Sequence, residues 1–86
     1  MYLHLGQNTV VRTEEIIGVF DMDNSTVSKH TRNFLGQAQK ENRVINVSME
    51  LPRSFILCQR NGRLTVYISQ IAPSTLLKRA EGSMVF

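Results

Sequence analysis

The sequence predicts an α+β domain: a mostly antiparallel sheet of about five to six short strands, one long helix and a short C-terminal helix. Three observations predict it. Asn61-Gly62 separates two apolar runs, and this dipeptide accepts positive φ at both central positions of a tight hairpin. Residues 25–41 carry apolar side chains at helical spacing. Residues 1–20 hold short alternating or β-branched runs broken by turn residues.

Each element follows in chain order. Tyr2 to Leu5 alternates, with Leu3 and Leu5 on one face and Tyr2 and His4 on the other. Gly6-Gln7-Asn8 is a turn signal, and Thr9 to Arg12 closes a hairpin. Thr13-Glu14-Glu15 is a break or a single helical turn, and Ile16 to Phe20 a third strand. The helix over 25–41 has Asn24 or Ser25 as its N-cap, which accepts a hydrogen bond from a first-turn N–H. Asp21 and Asp23 precede it, where negative charge meets the positive end of the helix dipole. Val27, Thr31, Phe34, Leu35 and Ala38 share one side, and Asn42 suits a C-terminal stop. Arg43 to Met49 reads as a strand, interrupted by Glu50-Leu51-Pro52-Arg53. Ser54 to Arg60 and Arg63 to Gln70 form the hairpin around Asn61-Gly62. Pro73 and Ser74 start a short helix through Ala80, which makes 1–80 a single domain and 81–86 a flexible tail.

The chain has 86 residues, 42% hydrophobic and 20% charged, which excludes disordered and low-complexity classes. A domain this small buries only about 60–65% of the surface of its unfolded chain, so self-association is a natural way to bury more. The longest apolar run, Phe55 to Cys58, is far too short to span a bilayer, so no membrane association is expected. The first residues lack the basic and apolar regions of a secretory signal. Cys58 is the single cysteine, so no intramolecular disulfide forms, and a cytoplasmic location fits.

Charge is uneven along the chain. Residues 1–28 carry one base against four acids, while 29–86 carry nine bases against three. A basic portion suits a polyanion such as double-stranded DNA. Two clusters give this a location. Lys29, Arg32, Gly36, Lys40 and Arg43 fall on one side of the helix, opposite the apolar stripe. Cations in a line with a glycine at the centre allow close approach of a phosphate backbone. At the hairpin tip a two-residue turn sets Arg60 opposite Arg63, a mildly repulsive pair that can clamp one phosphate. An ordinary solvated face and a mobile tip explain the same residues without a ligand.

The hairpin register also sorts its side chains. Phe55, Leu57, Leu64, Val66 and Ile68 form a core face against the helix. Ile56, Cys58, Thr65 and Tyr67 form the other face, too apolar for water. Either another layer of the same chain covers it or a second subunit does. The latter makes Ile56, Cys58 and Tyr67 an oligomer interface.

Catalytic constellations fail. Ile16 to Ser25, an apolar strand ending in Asp21-Met22-Asp23, has the look of a haloacid-dehalogenase-type nucleophile motif. The chain beyond it does not alternate strands and helices as those enzymes need. As a calcium loop it also fails, since Thr26 stands at the sixth position and Arg32 at the twelfth. His4, His30 and Cys58 lack metal-ligand spacing, and the glycines are scattered. No enzyme activity, cofactor, metal or small-molecule substrate is expected.

Four segments taken together, in their order along the chain, carry a resemblance. They are Tyr2-Leu3-His4-Leu5-Gly6, the stretch from Ile16 through Lys29, Leu51-Pro52-Arg53-Ser54-Phe55, and Ser74-Thr75-Leu76-Leu77-Lys78-Arg79-Ala80. The chain resembles the extracellular matrix regulator family (RemA/RemB) of spore-forming Gram-positive bacteria, in its RemB-like branch. The resemblance implies a small cytoplasmic regulator acting at promoters of matrix (biofilm) genes. The RemA branch further implies ring-like homo-oligomers that present arginines to DNA. This chain departs from that branch. Glu14 and Glu15 stand where it has an arginine after the second strand, and its arginine-rich turn is reduced to Arg53 beside Pro52.

The leading expectation is therefore an oligomeric, DNA-binding transcriptional regulator. Its phosphate contacts come from Lys29, Arg32, Arg43, Arg53, Arg60 and Arg63. The alternative is an assembly or adaptor protein without nucleic-acid affinity of its own. RNA binding has little support, because the few aromatic residues build no evident stacking platform.

Overall fold

Ser54–Arg60 is the most apolar run of the chain, and such a run is stable only as a central strand covered on both faces. The computed structural model, which describes residues 1–22 and 28–84, with side chains through residue 80, places it there. The strands are β1 (Tyr2–Gly6), β2 (Thr9–Arg12), β3 (Ile16–Asp21), β4 (Val44–Asn46), β5 (Ser54–Arg60) and β6 (Arg63–Ser69). Among the described residues the helices are α1 (Lys29–Lys40) and α2 (Pro73–Met84), and a 3-10 turn spans Thr13–Glu15.

The fold is α+β, but the strands divide between two sheets. β1 and β2 pair as a separate hairpin, while the other four run in the order β3-β5-β6-β4. The 3-10 turn redirects the chain from β2 to the edge of the larger sheet, so β3 does not extend the first hairpin. Pairing is antiparallel except for β4, which lies parallel to β6. The strand foreseen over Arg43 to Met49 shortens to Val44–Asn46 at the sheet edge.

Local signals hold where the chemistry is local. Asn61 and Gly62 take φ of 52° and 78°, and this turn sets Arg60 opposite Arg63 and Phe55 opposite Ile68. α1 ends in a Schellman arrangement. Asn42 is left-handed at φ 57°, its N–H donates to the Gln39 carbonyl, and the Arg43 N–H donates to the Ala38 carbonyl. The start of α1 differs from expectation. Ser28 caps it, its hydroxyl accepting from the Thr31 N–H at 3.5 Å, while Asn24, Ser25 and Asp23 lie outside the described residues. α2 runs to Met84, past Ala80, so the two helices are equal at 12 residues each.

The larger sheet separates two cores. Between α1 and the sheet Ala38 of the helix packs with Phe55 and Val66, with Phe34, Leu35, Leu57 and Ile68 half-buried around them. On the far face Ile56 and Cys58 pack with Leu3, Leu5 and Val11 of the hairpin and Leu76 of α2. The chain's own second layer thus covers the face that sequence reasoning offered to a second subunit. β3 carries a bulge between Ile16 and Gly18, which turns Ile17 out to solvent and keeps Ile16 and Val19 on the far core. Phe20 stacks on Phe55 with ring centroids 4.8 Å apart. Its ring lies across Gly18, where an added Cβ would sit 2.7 Å from the Phe20 Cζ. A larger residue at Gly18 would require the Phe20 ring to shift.

Candidate nucleic-acid interface

α1 contributes the clearest part of the predicted basic surface. Between Lys29 and Lys40 it holds no acidic residue, and Lys29, Arg32, Gly36 and Lys40 are all exposed while Ala38 is buried. At 1.5 Å per residue the line of cations from Lys29 to Lys40 is about 16 Å long. Nothing lies within 4 Å of the Cβ position at Gly36, so the backbone there is open to a close approach.

Arg43 does not belong to that line. The left-handed turn at Asn42 takes the chain off the helix, and the Arg43 side chain is only 15% exposed. Its Nε donates to Glu41 Oε1 at 2.7 Å and its Nη1 to the Leu64 carbonyl at 3.5 Å. Glu41 also accepts from Gln37 at 2.6 Å. This bond, followed by the one from Arg43, holds the Glu41 carboxyl below the usual range. Arg43 is thus a structural link between the end of α1 and β6. It still lines a shallow recess with Gly62, Arg63 and Leu64, so the end of α1 and the hairpin tip are neighbours.

Arg60 and Arg63 face each other at the tip, as the register requires. Arg60 has a counter-ion that the sequence did not reveal. Its Nε lies 3.6 Å from Glu15 Oε2, a contact between residues far apart in the chain. The repulsion at the tip is therefore offset. Arg12 is similarly occupied, donating to Glu14 at 3.2 Å. Arg53 is exposed but sits before the other end of β5, about 23 Å from the tip at ~3.3 Å per residue. Its backbone is fixed there, accepting from the Met22 N–H and donating to the Ser69 carbonyl. The structure therefore sets Lys29, Arg32 and Lys40 on one helix face, Arg63 near the end of α1, and Arg53 at the end of β5 away from the hairpin tip.

The three residues assigned to a subunit contact have a different setting. Ile56 and Cys58 are buried within the single chain, beneath β1, β2 and α2, because the chain itself supplies the cover their face needs. Tyr67 is half-buried beside them, and removal from water is the main cause of the upward shift of its hydroxyl's pKa. Burial, with Glu15 nearby, pushes the Cys58 thiol up to about 11, so it is a neutral, unreactive side chain near pH 7.

Two features escaped sequence reasoning. One is the Glu15–Arg60 pair, for which no local spacing gives a signal. The other is a recess of about 340 Å³ between the open end of the first hairpin and the tip of β5 and β6, with Tyr2, Arg12, Glu15 and Tyr67 among its walls. Among the described residues no helix is long and apolar enough to cross a membrane.

Fold and surface together define a small α+β domain with an exposed basic helix face. The family described as "RemA-like: Extracellular matrix regulatory protein A-like" matches residues 2–80, and the chain belongs to this family of regulatory proteins. It is similar to Extracellular matrix regulatory protein B of Bacillus subtilis (strain 168), with 33% identity over 81 residues, 94% of this chain and 91% of that protein.

Proposed function

We propose that the chain is an oligomeric, DNA-binding transcriptional regulator of extracellular matrix (biofilm) genes, acting in the cytoplasm and contacting DNA mainly through phosphates. The observation that carries this reading is the outward face of α1, where Lys29, Arg32 and Lys40 flank Gly36 with no carboxylate in the helix. Arg63 extends the basic surface at the neighbouring tip. α1 and α2 pack on opposite faces of the larger sheet, so they do not form a helix-turn-helix. Recognition then rests on phosphates and DNA shape, with weak sites multiplied by assembly.

Assembly has its own support. Met49 and Leu51 are 100% and 82% exposed, and Ile17 and Ile45 lie half in water on the two edge strands of the larger sheet. These apolar groups, rather than Ile56 and Cys58, are what a second copy would cover. The adaptor reading is favoured by one observation: Arg43 and Arg60 already have carboxylate partners, which reduces the charge free for phosphate.

A salt series decides between the two. Purified protein is titrated with unrelated duplex DNAs at rising ionic strength. A regulator that neutralises several phosphates weakens steeply, and Arg32→Ala lowers the logarithmic salt slope by about one. Absence of binding at low salt establishes the adaptor. Light scattering that finds a monomer at micromolar concentration removes the oligomer.

A further inference from the structure

The recess beside the first hairpin has a chemistry that the DNA reading does not use. We propose that it binds a small molecule joining a phosphate to a flat ring, the chemistry of a mononucleotide.

The recess exists because two layers are mismatched. The hairpin covers Ile56 and Cys58 but stops short of the end of β5 and β6, leaving Thr65 and Tyr67 half-buried under its open edge. Tyr2 and Arg12, paired across that open end, form one wall. Arg60 and Glu15 form another. The volume of this half-open recess, about 340 Å³, lies at the lower end of the range of small-molecule sites, roughly 300–1,000 Å³, and suits a mononucleotide better than a larger cofactor.

The walls divide by chemistry. Arg12 and Arg60 are guanidinium forks that match the oxygens of a phosphate, and Arg12 would exchange its exposed partner Glu14, now at 3.2 Å, to do so. Tyr2 and Tyr67 offer aromatic faces, against which a flat ring can pack. Glu15 is an internal counter-ion to Arg60, but at 3.6 Å the pair is longer than a good hydrogen bond, and the Arg60 side chain is 74% exposed. The pair is long and solvated on its Arg60 side, while Glu15 is only 23% exposed, so Arg60 can swing to a doubly charged phosphate but the carboxylate stays in the wall and opposes it. Glu15 then remains as an acceptor for a ligand hydroxyl or amino group. Arg60 would serve both this site and the hairpin tip, so the bound ligand would compete with any DNA contact made there.

Calorimetry and amide chemical-shift mapping with adenosine monophosphate test the proposal, with adenosine and inorganic phosphate as separate probes. The proposal expects adenosine monophosphate to bind about tenfold or more tightly than either fragment, with shifts confined to the recess. Arg12→Ala and Tyr2→Ala, both at exposed positions, should each weaken it about tenfold at unchanged melting temperature. Glu15→Gln should tighten it several-fold, because the competing carboxylate is gone. The proposal is overturned if adenosine monophosphate gives no heat and no shifts at millimolar concentration. It is equally overturned if inorganic phosphate binds as well as the nucleotide, which reduces the recess to a charged surface, or if the Arg12 and Tyr2 variants bind unchanged. None of these readouts contains DNA, so the result stands apart from the regulator reading.

Discussion

The two faces of the larger sheet do different work with different materials. Among the described residues the far face buries seven apolar side chains, from Leu3 to Leu76, drawn from both ends of the chain and from Val47, Ile56 and Cys58 between them. The α1 face carries three, Ala38, Phe55 and Val66, and leaves Phe20 38% exposed at its edge. Stability is therefore concentrated under the hairpin and α2, and the exposed cations of α1 sit over the thinner core. A helix that need contribute only one stripe to a core is free to present its other side.

The largest test of this asymmetry is truncation. Leu76 is fully buried on the far face, and Leu76→Ala should cost about 3 kcal/mol in denaturant melts. Leu57 is half-buried against α1, and Leu57→Ala should cost about half of that. Leu77, next to Leu76 but 52% exposed, should tolerate alanine with no measurable change. Equal losses at Leu76 and Leu57 would show that the two cores are equivalent.

Cys58 gives the far face a signature in alkaline pH. Its thiol is held up to about 11 against 9.0 in the unfolded chain, because burial disfavours the thiolate. The folded state thus keeps a proton that the unfolded state loses. The contribution is fully present below pH 9 and is lost as pH rises toward 11, a fall of up to about 3 kcal/mol. Tyr67 is shifted in the same direction and adds to the slope at higher pH. Comparing pH-dependent melts of wild type and Cys58→Ala isolates the thiol. Identical slopes would mean that Cys58 is accessible to water.

A smaller effect distinguishes two serines that face each other across β5 and β6. Ser69 Oγ donates to the Leu5 carbonyl at 2.7 Å and accepts from the Ile71 N–H at 3.0 Å, tying the first hairpin to the sheet. Ser54 Oγ is buried without a hydrogen-bond partner among the described residues. Ser69→Ala should cost about 1–2 kcal/mol, since it leaves buried backbone groups unpaired, while Ser54→Ala should be neutral or slightly stabilising. Matching losses at both positions would place an unseen partner on Ser54.

What could be read from the sequence follows the range of the interaction. Asn61-Gly62 determined the register of β5 and β6, and from the register came the correct sorting of side chains between two faces. Asn42 marked the end of α1 through its own backbone preference. The identity of the cover on the far face was hidden, because Leu3, Leu5, Val11 and Leu76 meet Ile56 only in three dimensions. Arg43 was misassigned because helical periodicity was continued past the residue that ends the helix. The helix expected to end at Ala80 continues to Met84, into the stretch read as a tail. Of the candidate site, the line on α1 was legible because it is a single helix face. The counter-ions of Arg60 and Arg12 were less so: Glu15 reaches Arg60 only through the fold, although Glu14 is two residues from Arg12.

The smallest predicted change in stability carries the sharpest functional contrast. Gly36 sits in the exposed face of α1, and no atom lies within 4 Å of the Cβ that alanine would add. Alanine is a better helix former than glycine and costs less backbone entropy on folding. Gly36→Ala should therefore stabilise the protein by about 0.5–1 kcal/mol. If the helix is only a solvated face, that gain is the whole effect, and any DNA affinity is unchanged. If a phosphate backbone lies along Lys29, Arg32 and Lys40, the new methyl group holds it away at the centre of the line. Affinity then falls while stability rises, for every DNA sequence alike, because no base is being read there. Melting curves and DNA titrations on the same sample separate the cases. A gain in stability with full affinity moves the contact off the centre of α1 and leaves Arg63 and Arg53 as the cations to test.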